Sequence, residues 1–548
     1  MSAGRADGTY DYVIVGAGSA GCTLASRLSE DADIRVLVLE AGGWDRDPWL
    51  SIPLAWGRNV LRRRHDWMYS TEPEPNLNGR RLAINRGKVI GGSSSINGMA
   101  YVRGHRNDYD RWAAAGLPHW SYAHVLPYFR RQESWQGGAD SYRGGDGPLS
   151  VCIQPYPDPL TEAWLEAGAA AGHPITPDYN GEQQEGFGRF QSTVRDGRRC
   201  SASVAYLRPA LGRCNLSLEV LALVTRIVLD GTRATGVEYQ VGGEKRIARA
   251  EREVILAGGA INSPHLLMLS GIGDPTKLLP HGIVVNVALR GVGENLQDHI
   301  SVTVDHLRKE PGPLVRMMRL DRIAVELGKA YFFGTGFATG MPNNVTAFLK
   351  SHGAESIPDL QFLIRAASIM TGPYLPPFRQ AFADSFGCRP ALLRCESRGS
   401  ISLASADPKI PASIHQNFLA TDRDLRTLRT GVYMARDLFG TAPLQPFVGP
   451  EIAPGPDVRS DADVDAFIRA TADTVYHPLG TCRMGTADDE MAVVDPELRV
   501  RGVEGLRVVD ASVMPDLVGD NINAPVIMIA EKAADLIRRK PSLAPVNV

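Results

Sequence analysis

The chain has no strong excess of charge, no long apolar run and no closely spaced pair of cysteines. Its 548 residues carry 59 Lys and Arg against 61 Asp and Glu, a formal net charge of -2. That balance removes the electrostatic case for a nucleic-acid partner. No apolar run reaches the length of a membrane span, so no integral membrane segment is expected. Met1 to Tyr10 lack the apolar stretch of a secretory signal, and a soluble, cytoplasmic protein is the expectation. The seven cysteines are scattered, without the spacing of a zinc site or redox motif, and read as reduced and structural; no metal is expected. Asn215-Leu216-Ser217 and Asn344-Val345-Thr346 match the glycosylation pattern, which matters only in a secreted protein. What is left is a small-molecule partner, in a chain long enough for two interleaved or sequential domains.

What is present is a dinucleotide fingerprint. Tyr12 to Val15 is a short β-branched run that ends in Gly16-Ala17-Gly18-Ser19-Ala20-Gly21, Cys22 to Leu28 reads as a helix, and Val36 to Leu39 as the next buried strand. Gly16 permits the turn, Gly18 lets a pyrophosphate approach the backbone, and Gly21 lets helix and strand pack closely. The helix start offers free N–H groups to the phosphates. Glu40, nineteen residues after Gly21, falls where a carboxylate accepts hydrogen bonds from a ribose. This signature does not separate NAD from FAD. A second glycine- and serine-rich stretch, Arg86 to Gly98, is too polar for a core strand; its N–H and hydroxyl groups suit a pyrophosphate or a ring edge, and a purely structural loop is the alternative.

Longer motifs make the chain resemble the glucose-methanol-choline (GMC) oxidoreductase family from about Asp11 to Ile537. They are Gly87 to Val102, Gly259 to Gly273, Gly291 to His299, and the run from His477 to Glu531. The resemblance implies an α/β fold, with a Rossmann-like FAD-binding domain assembled from separated segments and an α+β substrate domain on a largely antiparallel sheet. We assign 1–155, 214–310 and 471–548 to the first, and 156–213 and 311–470 to the second. The strand-like runs Leu216 to Leu229, Ala234 to Tyr239 and Glu253 to Leu256 agree with this division. Val315 to Lys329 reads as an amphipathic helix with a solvated basic face. Clusters such as Met317-Met318, Tyr331-Phe332-Phe333 and Pro373 to Phe378 are either core or the lining of an apolar pocket.

By the same resemblance, the FAD contacts are Gly16, Gly18, Ser19, Ala20, Gly21, Glu40 and Ala41; Gly87, Val89, Gly91, Gly92, Ser93, Asn97, Gly98, Met99 and Ala100; Val224, Ala257 and Gly258; and Asp510, Ala511, Asn523, Pro525 and Val526. Ile96 stands where some members carry a flavin-linking histidine, so FAD is expected to be non-covalent. Oxidation of a primary alcohol requires a base for the hydroxyl proton while a hydride leaves for flavin N5. His477 is the candidate base. Asn523 is the expected amide partner, orienting the substrate oxygen and stabilising charge on it; Asn521 is expected to serve the fold or the flavin loop, with the catalytic amide as its alternative role. The helix that begins near Ala524 would aim its N-terminus at the flavin ring. The partners are then an alcohol and an electron acceptor, whether oxygen, a quinone or another carrier, with the oligomeric state open. A choline dehydrogenase or oxidase is the alternative within the class, since Asp66-Trp67 and Thr71 to Arg81 resemble that branch. A hydroxynitrile lyase is the alternative from another class, and a non-catalytic flavoprotein a third.

Overall fold

Two sheets organise the chain in the computed structural model, which describes residues 8–368, 371–519 and 521–548. The first has a parallel core in the order Leu216–Val220, Val36–Glu40, Thr9–Val15, the end of Glu244–Leu256, and Leu506–Val508. Val13 pairs with Leu37 on one side and Val254 on the other, and Val254 pairs in turn with Leu506. Val13, Ile14, Leu37, Val254 and Ile255 are fully buried, as expected of parallel strands covered on both faces, whose sequences read as continuous apolar runs.

The long run after Asn215 is two strands rather than one. The backbone takes a positive φ of 57° at Leu221. Leu216–Val220 therefore stays in the parallel core, while Ala222–Asp230 turns into an antiparallel ribbon with Arg233–Val241 and the start of Glu244–Leu256.

The second sheet is antiparallel, in the order Val448–Ala453, Val304–Arg308, Ser385–Leu392, Leu360–Arg365, Val345–Leu349 and Gly186–Arg189. The short strand Ile300–Ser301 pairs with both Ser385–Leu392 and Asp473–Thr474. The chain thus enters this sheet before residue 311 and is still paired to it after residue 470. Buried Ile300, Val302 and Val304 carry the alternation of this stretch, ahead of the boundary expected at 310/311. The amphipathic stretch expected as one helix is broken at Met318 and Arg319 into Pro313–Met317 and Leu320–Phe333. Its last residues, Phe332 and Phe333, are 71% and 75% exposed. Among the described residues, no helix is long and apolar enough to cross a membrane.

The chain ends meet a second time through helices. Ser19–Leu28 packs on Asn523–Ile537, which is buried along nearly its whole length. Glu531 on the later helix is fully buried; it is ion-paired with Arg27 at 2.8 Å and Arg131 at 2.8 Å, and accepts a hydrogen bond from Tyr206 Oη at 2.8 Å. Replacing Glu531 by Ala removes a fully buried partner from Arg27, Arg131 and Tyr206, leaving, among the described residues, Arg27 only Glu30 and Arg131 only Asp535, and is expected to destabilise the protein by about 2 kcal/mol or more. Glu30→Ala, which breaks half-exposed pairs with Arg27 and Arg538, is expected to cost under about 1 kcal/mol. Thermal unfolding of the two variants side by side checks this; equal shifts would contradict it.

Candidate active site

A cavity of about 620 Å³ lies between the two sheets. One wall is the turn after Thr9–Val15. Gly16 has a φ of 101°, and a Cβ there would stand 2.6 Å from the Ala257 carbonyl oxygen, so only glycine lets the two strand ends approach. Gly18, Ser19, Ala20, Glu40 and Ala41 line this wall, and Ala257, Gly258, Val224, Asp510 and Ala511 close it from the side. The Glu40 carboxylate accepts from Ala17 N at 2.8 Å and Gly42 N at 2.7 Å, one bond to each oxygen, which leaves lone pairs for a diol. Burial pushes its pKa up to about 7, against the lowering effect of those N–H groups and of Lys88. Asp510 ties the wall together: Oδ2 accepts from Gly259 N at 2.8 Å and Ser263 Oγ at 2.5 Å, and Oδ1 from Ser512 N at 2.8 Å.

The glycine- and serine-rich loop forms the floor, with Gly87, Gly92, Ser93, Ile96, Asn97, Gly98 and Ala100 on the cavity. Arg199, which the sequence reading did not single out, pins it by donating to the carbonyls of Ser94 (3.2 Å) and Asn97 (2.7 Å) and to Asn97 Oδ1 (2.8 Å). Five of the expected contacts are not on the cavity surface. Gly21 lies behind Gly16, Val89 packs with Leu50 and Ile96, Met99 with Phe190 and Met341, Gly91 shapes the loop from beneath, and Pro525 is buried in its helix. The aromatic and Met clusters at 317–318, 331–333 and 373–378 do not line the cavity either.

His477 stands where Asp473–Thr474 leaves the second sheet. Asp298 organises this turn: Oδ1 accepts from His477 N at 2.7 Å, and Oδ2 from Thr474 Oγ1 at 2.7 Å and Gln416 Nε2 at 3.1 Å. Tyr476 is thereby held at a φ of 68°, its N–H donating to Thr474 Oγ1 at 2.8 Å and its carbonyl accepting from Arg86. The imidazole is 8% exposed and opens onto the cavity.

The amide beside it is Asn521, not Asn523. Asn521 Nδ2 lies 3.1 Å from His477 Nε2, and Asn521 Oδ1 accepts from Gln361 Nε2 at 3.3 Å. Asn523 opens the buried helix, and its Oδ1 instead accepts from Ser19 Oγ at 2.8 Å, which turns it toward the glycine turn. Both asparagines are on the cavity wall, and the one in contact with His477 is Asn521, two positions before the expected Asn523.

The bond network assigns the proton positions. With its Oδ1 taken by Gln361, Asn521 presents N–H to His477 Nε2, which is therefore the unprotonated nitrogen. His477 Nδ1 then carries the hydrogen and donates to His299 Nδ1, 2.9 Å away across rings set 88° apart. Burial lowers the His477 pKa well below 6.5, helped by His299, Arg86 and Arg389. Burial likewise lowers His299 to about 3 and raises Asp298 to about 6. His477 is thus a neutral imidazole whose Nε2 lone pair meets the Asn521 N–H at the cavity wall.

Comparison with known proteins fits this arrangement. Two models described as GMC oxidoreductase match residues 10–301 and 395–530. The chain belongs to the GMC oxidoreductase family. Its curated relatives include the mitochondrial choline dehydrogenase of Homo sapiens, 46% identical over 542 residues, covering 97% of this chain and 90% of that protein. The oxygen-dependent choline dehydrogenase of Sinorhizobium fredii (strain NBRC 101917 / NGR234) is 45% identical over 537 residues, covering 98% and 97%. Among solved structures, pyridoxine 4-oxidase from Mesorbium loti aligns with a TM-score of 0.87 and 32% identity over 97% of this chain and 100% of that one. A fungal aryl-alcohol oxidase aligns with a TM-score of 0.82 and 26% identity, covering 98% and 99%.

The family is FAD-dependent, and the residues present fit that cofactor: a glycine turn at a helix start, a buried carboxylate with spare acceptors 19 residues beyond Gly21, and a second helix start at Asn523 facing the same cavity.

Glu40 gives a pH test. Its carboxyl holds a proton more tightly in the folded chain than in the unfolded one. It therefore contributes stability that is fully present below 4.5 and lost as the pH rises through about 7. Denaturation of the apoprotein across this window should show a loss on the order of 3 kcal/mol from this group. Glu40→Gln should flatten that share, and an unchanged slope in the variant would refute the assignment.

Proposed function

We propose that the chain oxidises a primary alcohol to the aldehyde, with His477 as the base and Asn521 as the amide that holds the substrate oxygen. The observation that carries this reading is the 3.1 Å contact between His477 Nε2 and Asn521 Nδ2 on the wall of the same cavity as the dinucleotide turn. An alcohol oxygen inserted between the two replaces this contact: it accepts the Asn521 N–H and directs its own proton to Nε2. FAD, when bound, supplies the acceptor for the hydride that leaves the carbinol carbon.

An alcohol is far too weak an acid to ionise unaided at neutral pH, so proton removal must accompany hydride loss. The low pKa of His477 keeps it neutral and ready to accept. Once protonated, the imidazolium is stabilised through Nδ1 by His299, which is oriented to accept a hydrogen bond. The Asn521 N–H is aimed at the oxygen as negative charge grows on it, which is where a donor lowers the barrier most. Asn523 then serves the FAD side, locking the start of its helix to Ser19.

FAD is held without a covalent link in this reading, since the loop position that faces the cavity carries the aliphatic Ile96. The electron acceptor is oxygen, a quinone or another carrier, and we place the enzyme in the cytoplasm. Choline is the second reading of the substrate, supported by the relatives at 45–46% identity.

Anaerobic titration of the holoenzyme with aliphatic and aromatic primary alcohols and choline is expected to bleach the flavin band. His477→Ala should slow bleaching by about 10²–10⁴-fold and Asn521→Ala by about 10²–10³-fold, whereas Asn523→Ala should chiefly weaken FAD retention. A flavin that stays oxidised while a cyanohydrin is cleaved would replace this reading with the lyase. Equal rate losses in the two asparagine variants, at full FAD content, would undo the assignment of Asn521.

A further inference from the structure

The cavity wall opposite the glycine turn is one face of the second sheet. Leu363 is the register partner of Arg389, and Arg365 that of Gly387. In an antiparallel pair such partners share a face, and so do residues two apart on one strand. Gln361, Leu363, Arg365 and Arg389 therefore stand together. Gln361 reaches Asn521, and the other three line the cavity that holds His477.

Two guanidinium groups so close to a reactive histidine need an account, because neither is hydrogen-bonded to its ring. Arg389 donates through Nε to Ser301 Oγ at 2.6 Å and through Nη2 to the carbonyls of Thr474 at 3.1 Å and Asp473 at 3.4 Å. These partners are neutral oxygens that fix the plane of the group, and nearby Asp473 offsets part of its charge. Among the described residues Arg389 has no ion pair, and no hydrogen-bond acceptor lies at its Nη1. Arg365 is paired with Asp305, at 2.9 and 3.1 Å to the two carboxylate oxygens, which steers it without removing it from the cavity wall. Gly387 makes room for that pairing, since a Cβ there would lie 1.5 Å from Asp305 Oδ1.

Three guanidinium groups thus stand on the wall where the substrate must sit, partly offset by Asp473 near Arg389, by Asp305 on Arg365 and by Asp298 and Asp66 near Arg86. Arg86, Arg365 and Arg389 line it, and away from the FAD side the carboxylate among them is Asp473, which accepts from Thr474 N at 2.9 Å. A quaternary ammonium would need the reverse, a carboxylate and open aromatic faces. Of the rings on the cavity, Trp67 lies under the Lys88 ammonium, 4.5 Å from the ring centre, while among the described residues Trp56, Tyr69, Phe190 and Tyr476 carry no such cation; the wall's carboxylate, Asp473, is held by the charge of Arg389. An anchored guanidinium beside a second one is instead a receptor for a planar oxyanion.

We propose that the alcohol this enzyme oxidises carries a carboxylate, bound by Arg389 and Arg365 while the hydroxyl is held at His477 and Asn521. The inference rests on the alcohol-oxidation reading and narrows its substrate class from alcohols at large, choline included, to hydroxy acids. The carboxylate takes no part in bond making: the carbinol loses a proton to His477 and a hydride to FAD, and the acid group leaves unchanged at the far end of the aldehyde.

Matched substrates test it on the holoenzyme: 4-(hydroxymethyl)benzoate against its amide, and 6-hydroxyhexanoate against 1,6-hexanediol, with choline as the cationic member. The acid of each pair is expected to exceed its neutral partner in kcat/KM by about 10-fold or more, mostly through KM, and choline to be the poorest. In Arg389→Leu the acid-to-neutral ratio should collapse toward one, and Arg389→Lys should restore part of it. A wild-type preference for choline or for the neutral members overturns the proposal. So does a ratio that survives in Arg389→Leu, since the arginine would then serve the reacting oxygen of every alcohol alike.

Binding is read separately, from the shift of the oxidised flavin band on titration with unreactive 4-methylbenzoate. The shift should be present in wild type and in His477→Ala, and lost in Arg389→Gln, which keeps a donor to Ser301. If no alcohol bleaches the enzyme yet this arginine-dependent shift is seen, the oxidation reading fails and the anion site stands. If alcohols bleach it and the shift is absent, the anion site fails alone.

Discussion

The strand Glu244–Leu256 is the constraint on which the rest of the molecule depends. Its last residues are hydrogen-bonded on one side to Thr9–Val15 and on the other to Leu506–Val508, both parallel, so residues from the two ends of the chain lie side by side on one interior strand. The cavity opens where these strands stop. Gly16, Ala257 and Asp510 each lie just beyond a strand end, and their mutual distances follow from backbone pairing rather than from side-chain packing. Brought together this way, a glycine turn near the start and a histidine and asparagine near the finish face one space. Ligand sites at the carboxyl ends of parallel strands are the general rule for such sheets.

The electrostatics of the site follow from burial. Water is largely excluded around His477, Asp298 and Glu40, so each is pushed toward its neutral form: the histidine loses its proton while the acids keep theirs more tightly. Asp298 remains useful because its oxygens accept from the His477 N–H, Thr474 and Gln416, fixing the turn. It orients the base through the backbone, and the imidazole nitrogens stay available, one to His299 and one to the cavity.

Much of this was legible in the sequence, and the reasons for the exceptions are physical. The strand, turn, helix and acid of the first forty residues are local, and their spacing alone sets Gly16, Gly18 and Glu40 around one space. His477 could be found because its motif is long. The choice between Asn521 and Asn523 could not be made, because no periodicity applies at the junction of a loop and a helix. There the bond from Ser19 turns Asn523 one way while Asn521 faces the other, and both partners are remote in sequence. Arg365 and Arg389 were invisible for a related reason. Strand alternation tells which residues share a face but not what that face looks upon. Arg199 had no signal at all, since it acts on backbone carbonyls of a loop about a hundred positions earlier. The exposed Phe332 and Phe333 show the opposite failure, where aromatic character suggested burial that the helix end does not provide.

The division of labour between the two sheets has a consequence for how such an enzyme diversifies. His477 and Asn521 arrive on loops from the terminal segments, whereas the cavity wall opposite the glycine turn is built from alternate residues of two antiparallel strands. Positions 363, 365 and 389 are exchangeable without disturbing a ladder hydrogen bond, because their backbones pair the same way whatever side chain they carry. A shift of pairing by one residue would be another matter, turning Gln361 away from Asn521 along with the whole wall. Selection is thus free to repaint this face one side chain at a time, and Gln361, two residues from Leu363 on the same strand, marks the point where repainting would begin to misalign the chemistry.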